Sequence, residues 1–437
     1  MNFKYISKWM FAALILVATA CNDKEETAIA VTPTQGTADF SRYISLGNSL
    51  TAGYADGGLF LAGQLNSFPS IIAQQMKLAG GGEFTQPLFS TTQANGSGYL
   101  KYGGLTTAGT PNLIPVTTNL GVRGQVAIPG FGNVTLYTKY VGELNNYGVP
   151  GIKLQQITFA PYGNLNGFYE RLLPGNAGTN TKTYLDFATE KPFTFFTNWL
   201  GNNDALGYAT SGGVGDVLTP KADFTALYTA LIAKLTATGA KGAVATIPDV
   251  SAIPFLNTVT VVALLAGVKK VNPAVTAIYI ETSTGARVAT SEDLVNLTFS
   301  TSLLGSSTGP GAPFPYGLHP NNPIESKYIL DKAEVANAQD FVNSYNATIK
   351  SVAEAKGLAV FDAYTFLNTL KGSGIQYDGT TLNSAYISGK VFSLDGVHLT
   401  PMGYAVVANE FIKVINAKYG STLPTVSLGN YTFLRFN

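Results

Sequence analysis

Apolar residues are arranged along the chain in short runs and in longer segments with helical spacing. Residues 43–46 form a largely apolar run that ends at Gly47, and further runs lie at residues 192–200, 243–247 and 358–361. Short apolar runs that are bounded by turn residues are typical of buried strands. We therefore predict four strands at these positions.

Segments with apolar residues three or four positions apart alternate with the predicted strands. They cover residues 68–79, 221–238, 331–356 and 402–419, and this spacing predicts helices that bury one face. Strands that alternate with helices form a parallel sheet with helices on both faces. The predicted fold class is therefore α/β, with three layers in the order helix, sheet, helix.

Two stretches interrupt this alternation. Residues 83–143 are rich in Gly and Thr and carry short alternating runs, which predicts a β-rich insertion. Residues 254–328 combine an apolar segment, a hairpin predicted over residues 277–291, and a loop rich in Gly and Pro. We interpret this second stretch as an insertion that helps to build the rim of a pocket.

The N-terminus has the pattern of a secretory signal. Lys4 and Lys8 precede an apolar run at residues 9–20, and this run is too short to span a bilayer. Residues 1–20 are therefore a predicted signal peptide. The sequence Ala-Thr-Ala before Cys21 resembles the lipobox of bacterial lipoproteins, which implies lipidation of Cys21. The alternative is an ordinary signal peptide followed by a coincidental cysteine.

The residues after Cys21 predict a tether and a location. Residues 21–38 lack periodicity, which predicts a flexible tether and leaves residues 39–437 as the main domain. Residues 22–26 resemble the export signal of surface lipoproteins. We therefore expect a lipoprotein of the cell envelope, in the outer membrane, with the membrane face left open. No later segment has 18 consecutive apolar residues, so we expect the lipid to be its sole anchor.

Composition narrows the possible chemistry. The 27 basic and 26 acidic residues give a net charge of +1, and no basic run is present, so nucleic acid is not an expected partner. One cysteine cannot form an intramolecular disulfide, and two histidines argue against a His-rich metal site. We expect neither a metal nor an organic cofactor.

A serine follows the first predicted strand. Ser49 lies in Gly47-Asn48-Ser49-Leu50, at a turn where a helix begins. The free N–H groups and the dipole of a helix N-terminus can stabilise an oxyanion that forms beside this hydroxyl. The site is thus suitable for a nucleophile, although a serine at this position also serves as an ordinary helix cap.

The second candidate pair is Asp395 and His398. A carboxylate three residues before a histidine can accept its ring N–H and fix the tautomer, which leaves the other nitrogen free to take a serine proton. The alternative is a solvated aspartate and a histidine that packs at a helix start.

Two further pieces could stabilise negative charge. Asn203 lies in Gly201-Asn202-Asn203-Asp204, directly after the strand at residues 192–200, where its amide could donate to an oxyanion. Gly151 could present a bare backbone N–H because it has no side chain. Both pieces also fit plain turns.

Together these four pieces resemble the sequence blocks of the GDSL/SGNH hydrolase family, in the family's order, from about Tyr43 to the helix after His398. The resemblance implies a flavodoxin-like sheet. It also implies that Ser49 is the nucleophile, that His398 is the base and that Asp395 orients the base. The implied oxyanion donors are the N–H groups of Ser49 and Gly151 and the side chain of Asn203.

One residue departs from the family pattern, because Asn48 stands where the family name has Asp. Asparagine keeps the shape of aspartate and loses its charge. We expect activity to survive, since that aspartate is not the acid of the triad, while the local hydrogen bonding at the turn is in question.

The resemblance implies an esterase or lipase that hydrolyses acyl esters through an acyl-enzyme on Ser49. A glycan O-acetylesterase of the same fold is the enzymatic alternative, and a surface lipoprotein that binds glycan or lipid is the non-enzymatic one. Aromatic residues of the first insertion suit acyl chains; they are Phe84, Phe89, Tyr99, Tyr102 and Phe131.

A competing serine and the second histidine need separate interpretation. Ser307 lies in a G-x-S-x-G pattern, but Pro310 and Pro313 follow it, so no helix can begin there and we predict a loop. His319 has no aspartate three residues before it, and we interpret it as a residue of a loop or of the pocket rim.

Overall fold

The structure is a computed structural model that describes residues 32–107, 109–308 and 311–435. The predicted signal peptide at residues 1–20 and Cys21 lie outside the described residues. The predicted tether extends too far along the chain. Thr34 and Thr37 donate backbone N–H bonds to Thr422 and Tyr419, each 2.8 Å long. These bonds attach the end of the predicted tether to the C-terminal segment.

The strands follow one another along the chain. They are β1 (Tyr43–Gly47), β2 (Tyr99–Leu105), β3 (Pro111–Val116), β4 (Val122–Ile128), β5 (Gly132–Tyr137), β6 (Asn146–Gly148), β7 (Phe195–Trp199), β8 (Lys241–Ala245), β9 (Val259–Thr260), β10 (Tyr279–Thr282), β11 (Gly285–Val288), β12 (Leu294–Val295), β13 (Ile329–Leu330), β14 (Ala359–Phe361), β15 (Ile375–Tyr377) and β16 (Thr380–Leu382).

The α-helices include several of a single turn. They are α1 (Ser49–Ala52), α2 (Leu61–Leu65), α3 (Phe68–Leu78), α4 (Tyr162–Leu165), α5 (Gly167–Glu170), α6 (Tyr184–Ala188), α7 (Asn203–Thr210), α8 (Lys221–Thr236), α9 (Pro254–Asn257), α10 (Val261–Val271), α11 (Lys332–Ala355), α12 (Ala363–Lys371) and α13 (Pro401–Tyr419).

The central sheet consists of parallel strands in the order β14-β8-β7-β1-β6. Taken in chain order, these five strands have the order 2-1-3-4-5 of the flavodoxin-like fold. Every residue of β1 and β7 is buried, as expected for a sheet that is covered on both faces. The predicted α/β class is confirmed.

Helices pack on this sheet in two groups. Helix α3 packs against α13, and α8 packs against α11. Helix α11 begins where the sequence predicts, because the Asp331 side chain accepts from the N–H groups of Ala333 and Glu334. The Glu334 carboxylate accepts from the Asp331 N–H in return, which completes a capping box.

The two interrupting stretches have different structures. The first contains the antiparallel hairpins β2–β3 and β4–β5. The second contains the hairpin β10–β11 and helix α10, together with a small apolar cluster of its own. The hairpin lies where sequence patterning places it, and the apolar segment before it is a helix.

Several elements were missed by the sequence patterns, among them β6, α7 and α12. Strand β6 is the short sequence Asn-Tyr-Gly, which does not form the apolar run by which the other strands were predicted. No helix in the described part of the chain is long and apolar enough to cross a membrane.

The sheet has a topological switch point between β1 and β7. The chain leaves β1 for β6 on one side of the sheet and leaves β7 for β8 on the other. A crevice forms at the carboxyl ends of strands at such a point. Ser49 follows β1 there, and Asn203 follows β7.

Candidate active site

The turn after β1 presents Ser49. A side chain at Gly47 would collide with Thr51, so the strand must end on a glycine. The Asn48 side chain accepts from the Leu50 N–H at 3.0 Å and caps the short helix α1. Asparagine therefore provides a cap without the charge of aspartate, which answers the question raised by the departure from the family pattern.

Ser49, His398 and Asp395 form a continuous chain of hydrogen bonds. His398 Nε2 lies 2.8 Å from Ser49 Oγ, and His398 Nδ1 lies 2.8 Å from Asp395 Oδ2. Ser49 and His398 are 349 positions apart in the sequence. The fold thus brings together the two motifs that the sequence separates.

Backbone groups hold the Asp395 carboxylate in place. Its Oδ1 accepts from the N–H groups of Val397 at 2.9 Å and His398 at 2.8 Å. Burial alone would raise the pKa of Asp395, but the charge of His398 and these hydrogen bonds outweigh it and hold the pKa well below its usual range. Asp395 is therefore a carboxylate throughout the neutral range.

The segment after α1 also contacts the triad, and the sequence analysis missed it. The Gly57 N–H donates to Asp395 Oδ2 at 2.9 Å. The Ser393 hydroxyl donates to Asp395 Oδ1 at 3.2 Å and accepts from the Asp56 N–H at 2.9 Å. The ring of Tyr54 lies against the imidazole of His398. The available signal was only the position of Tyr54, Asp56 and Gly57 just beyond the serine motif.

The predicted oxyanion donors lie around one cavity. Among the described residues, the N–H groups of Ser49 and Gly151 have no hydrogen-bond acceptor. Gly151 has φ +85°, a conformation that favours glycine. The Asn203 amide donates to the Ile152 carbonyl at 2.9 Å, which ties it to the Gly151 loop. All three residues line a cavity together with His398.

Asp204 fixes the same loop. Its Oδ2 accepts from the Leu154 N–H at 2.7 Å, and its Oδ1 accepts from the Thr219 hydroxyl at 2.6 Å. Burial raises the pKa of Asp204 to about 6, against these hydrogen bonds. The neighbours Asn203 and Asp204 thus both bind the loop that carries Gly151, and only Asn203 lines the cavity.

Two cavities meet at Ser49, and neither has a lining residue from 254–328 within the described chain. The expectation that the second insertion builds the pocket rim is therefore wrong. This insertion instead supports the loop of the aspartate, because the Phe255 N–H donates to the Gly396 carbonyl at 2.9 Å.

Of the aromatic residues that we expected around an acyl chain, only Phe131 lines a cavity at Ser49. Phe84 stacks on Tyr43, and Tyr99 stacks on Phe60. Most of these rings therefore pack within the protein.

The competing residues lie apart from the triad. Ser307 is exposed in a loop, as predicted. His319 stacks on Phe314, with ring centroids 4.2 Å apart, and its Nδ1 accepts from the Asn321 N–H at 3.1 Å. His319 lines neither cavity at Ser49. Its interpretation as a residue of the pocket rim is therefore wrong, and its interpretation as a loop residue is correct.

Residues 32–107, 109–308 and 311–435 contain no cluster of acidic, His or Cys residues that could hold a metal.

Comparison with known proteins identifies similar chains. The family model described as GDSL-like Lipase/Acylhydrolase matches residues 43–411. None of the curated proteins matches. Among solved structures, the lipase/acylhydrolase from Enterococcus faecalis is 12% identical with a TM-score of 0.33, and the match covers 88% of this chain and 100% of that chain.

Two other solved structures are similar at the same low level. An alpha/beta hydrolase enzyme from the metagenome of Lake Arreo, Spain, is 12% identical with a TM-score of 0.36, covering 87% of this chain and 97% of that chain. An acetylxylan esterase from Geobacillus stearothermophilus is 9% identical with a TM-score of 0.35, covering 92% of this chain and 100% of that chain.

Proposed function

This chain belongs to the GDSL-like lipase/acylhydrolase family, and on that premise we propose that it hydrolyses carboxylic esters with Ser49 as its nucleophile. The observation that carries the proposal is the unbroken chain of 2.8 Å contacts from Ser49 through His398 to Asp395. A hydroxyl, an imidazole and a carboxylate in this order are the parts that acyl transfer requires.

Acylation begins with attack by Ser49 Oγ on the ester carbonyl carbon. His398 Nε2 takes the serine proton as the new C–O bond forms, and Asp395 stabilises the imidazolium. When the tetrahedral intermediate collapses, the bond to the alcohol oxygen breaks and His398 donates its proton to that oxygen. The acyl group remains on Ser49 as an ester.

Negative charge on the carbonyl oxygen is stabilised by the free N–H groups of Ser49 and Gly151 and by the amide of Asn203. Donors that are already fixed before the reaction stabilise this charge without reorganisation. The bonds from Asn203 and Asp204 to the residues after Gly151 provide that fixation.

Deacylation repeats these steps with water. His398 takes a proton from the water molecule, the water oxygen bonds to the acyl carbon, and the bond to Ser49 Oγ breaks. The proton returns from His398 to Ser49, and the carboxylic acid leaves.

The test is covalent labelling with a fluorophosphonate, together with hydrolysis of p-nitrophenyl acetate. Wild type is expected to label and turn over, whereas Ser49→Ala is expected to do neither, with kcat reduced by roughly 10⁴- to 10⁶-fold. Ser307→Ala is the matched control and should behave as wild type. A wild-type protein that neither labels nor turns over would instead favour a surface protein that only binds glycan or lipid.

We also propose that the mature protein is anchored to the cell envelope through a lipid on Cys21. Support comes from the apolar run at residues 9–20 and the small residues just before the only cysteine. Cys21→Ala should release the protein from the membrane fraction of cells. Retention of that variant in membranes would contradict the anchor and leave the esterase proposal unaffected.

A further inference from the structure

An apolar cavity opens beside the nucleophile. It contains about 730 Å³ of unfilled space, part of which is continuous with solvent. From Ser49 and His398 it extends between the loop at residues 391–399, helix α12 and helix α13. Helix α12 contributes Ala363, Phe366, Leu367 and Leu370 to its wall.

A second cavity borders some of the same residues. It is wider, with about 1000 Å³ of space, and is lined by polar and aromatic residues of the β4–β5 hairpin such as Asn133 and Tyr137. The two cavities share Ser49, Asn203, Leu206 and His398. An ester carbon at Ser49 therefore lies where the two cavities meet, with one half of the substrate on each side.

The chemistry assigns the two halves. The acyl group stays bonded to Ser49 after the alcohol has left, whereas the alcohol must depart and water must enter. The wider cavity offers that path to the alcohol and to water. The smaller, apolar cavity suits the group that remains, because an acyl chain needs burial and no hydrogen-bond partners.

We propose that this cavity binds linear acyl chains of medium length, of the octanoyl class, and that acetyl esters are poor substrates. The inference rests on the proposed function. An acetyl group is too small to fill a cavity of about 730 Å³. Each further methylene that the cavity buries raises kcat/KM by roughly fourfold. The residues that set the chain length are those of α12, outside every motif that the sequence analysis identified.

The experiment measures kcat/KM for p-nitrophenyl acetate, butyrate, octanoate and dodecanoate. Wild type is expected to hydrolyse octanoate at least about 100-fold better than acetate. In Ala363→Phe a large ring replaces a buried methyl group that lines the cavity. This variant should lose most of the gain at octanoate, so that its ratio of kcat/KM for octanoate to kcat/KM for acetate falls toward one.

The matched control is Thr365→Phe, which adds the same ring on the exposed face of α12 and should leave the chain-length profile unchanged. A second measurement covers the case in which Ala363→Phe does not fold. Ser49 of wild type should be phosphonylated faster by an octyl phosphonofluoridate than by the methyl compound.

The outcomes separate the two proposals. Ser49-dependent hydrolysis of acetate with no gain at octanoate, or equal phosphonylation rates, overturns this inference alone. An equal loss on all esters in a folded Ala363→Phe overturns it as well. Absence of Ser49-dependent turnover of any ester contradicts the proposed function and this inference with it.

Discussion

The aromatic ring of Tyr54 packs on the imidazole of His398, with ring centroids 4.5 Å apart and an interplanar angle of 43°. The Tyr54 hydroxyl donates to the Gly57 carbonyl at 2.7 Å, and the Gly57 N–H donates to Asp395. Tyr54 therefore contacts the proposed base directly and also contacts the segment that holds the aspartate. Such packing restricts the orientations of the imidazole.

We predict that the ring of Tyr54 matters more than its hydroxyl. Tyr54→Ala removes the surface on which His398 rests, so kcat/KM for an ester should fall roughly 10- to 100-fold. Tyr54→Phe keeps the ring and should stay within about threefold of wild type, since it loses one partly exposed hydrogen bond. Equal losses in the two variants would show that the hydroxyl, and not the ring, positions the base.

Asp56 gives a second prediction, on stability against pH. Its side chain is buried, and its Oδ1 accepts from the Leu394 N–H at 3.0 Å. Burial and, to a smaller extent, the nearby charge of Asp395 together raise the pKa of Asp56 to about 6, against the hydrogen bond from Leu394. The folded protein thus keeps a proton between about pH 4 and 6 that the unfolded chain releases. The contribution of Asp56 to stability is therefore fully present below pH 4 and is lost as the pH rises through 6.

Asp56→Asn should remove this pH dependence. Asparagine can still accept from Leu394 and tolerates the positive φ of 52°. Relative to wild type, the variant should gain roughly 2 to 3 kcal/mol in the free energy of unfolding between pH 4 and pH 7. Chemical denaturation at several pH values measures it. Asp362→Asn is the control. Its unfolding free energy relative to wild type should change with pH in the opposite direction, because hydrogen bonds hold the pKa of Asp362 below its usual value against burial.

The alternation of strands and helices could be read from the sequence because most of its elements are long or wholly buried. Strand β1 and helices α8 and α13 lie within two residues of their predicted bounds. Strand β6 could not be predicted, since its sequence Asn-Tyr-Gly does not form an apolar run. Its place at the sheet edge depends on pairing with β1, which is a tertiary contact.

In the site, too, some residues could be predicted from the sequence and others could not. The sequence identified Ser49, Asp395 and His398 as candidates because the chemistry proposed for them is local to short motifs, and the structure brings their side chains together. Tyr54 and the wall of the apolar cavity were not identified, because a packing surface leaves no motif in the sequence. The position of the second insertion at the pocket rim was predicted wrongly for a related reason. Its hairpin could be predicted, but no pattern in residues 254–328 tells which side of the Asp395 loop they contact.

Asn203 and Asp204 are adjacent, but we predict that replacing Asn203 mainly lowers kcat, whereas replacing Asp204 mainly lowers the stability of the fold. Asn203→Ala removes a proposed oxyanion donor, so kcat should fall roughly 100- to 1000-fold. Its effect on the unfolding free energy should be about 1 kcal/mol, for the lost bond to Ile152. Asp204→Ala leaves the Leu154 N–H and the Thr219 hydroxyl without partners and should cost roughly 3 kcal/mol.

Steady-state kinetics and denaturant unfolding on both variants check this pair. Asp204→Asn is the control, since it retains acceptor capacity for the Leu154 N–H and should lose less stability than Asp204→Ala. A full kcat in Asn203→Ala would exclude its amide from the oxyanion site.

Asn202 is buried in the wall of the apolar cavity without a hydrogen bond. It is 5% exposed, and neither its amide nitrogen nor its amide oxygen has a partner among the described residues. It precedes α7 and does not cap it with its side chain. A buried amide in this state destabilises the folded protein, because it has lost its hydrogen bonds to water.

Asn202→Leu should therefore stabilise the protein by about 1 to 2 kcal/mol, as an apolar residue of similar size replaces the unpaired amide. It should also raise kcat/KM for octanoate over acetate, since the wall becomes more apolar. Asn146→Leu is the matched control. That asparagine is equally buried, but its amide donates to Thr51 and Gln86, so the same change should destabilise the protein. Denaturant unfolding of both variants gives the comparison. A loss of stability in Asn202→Leu would mean that its amide makes an interaction which the folded chain needs.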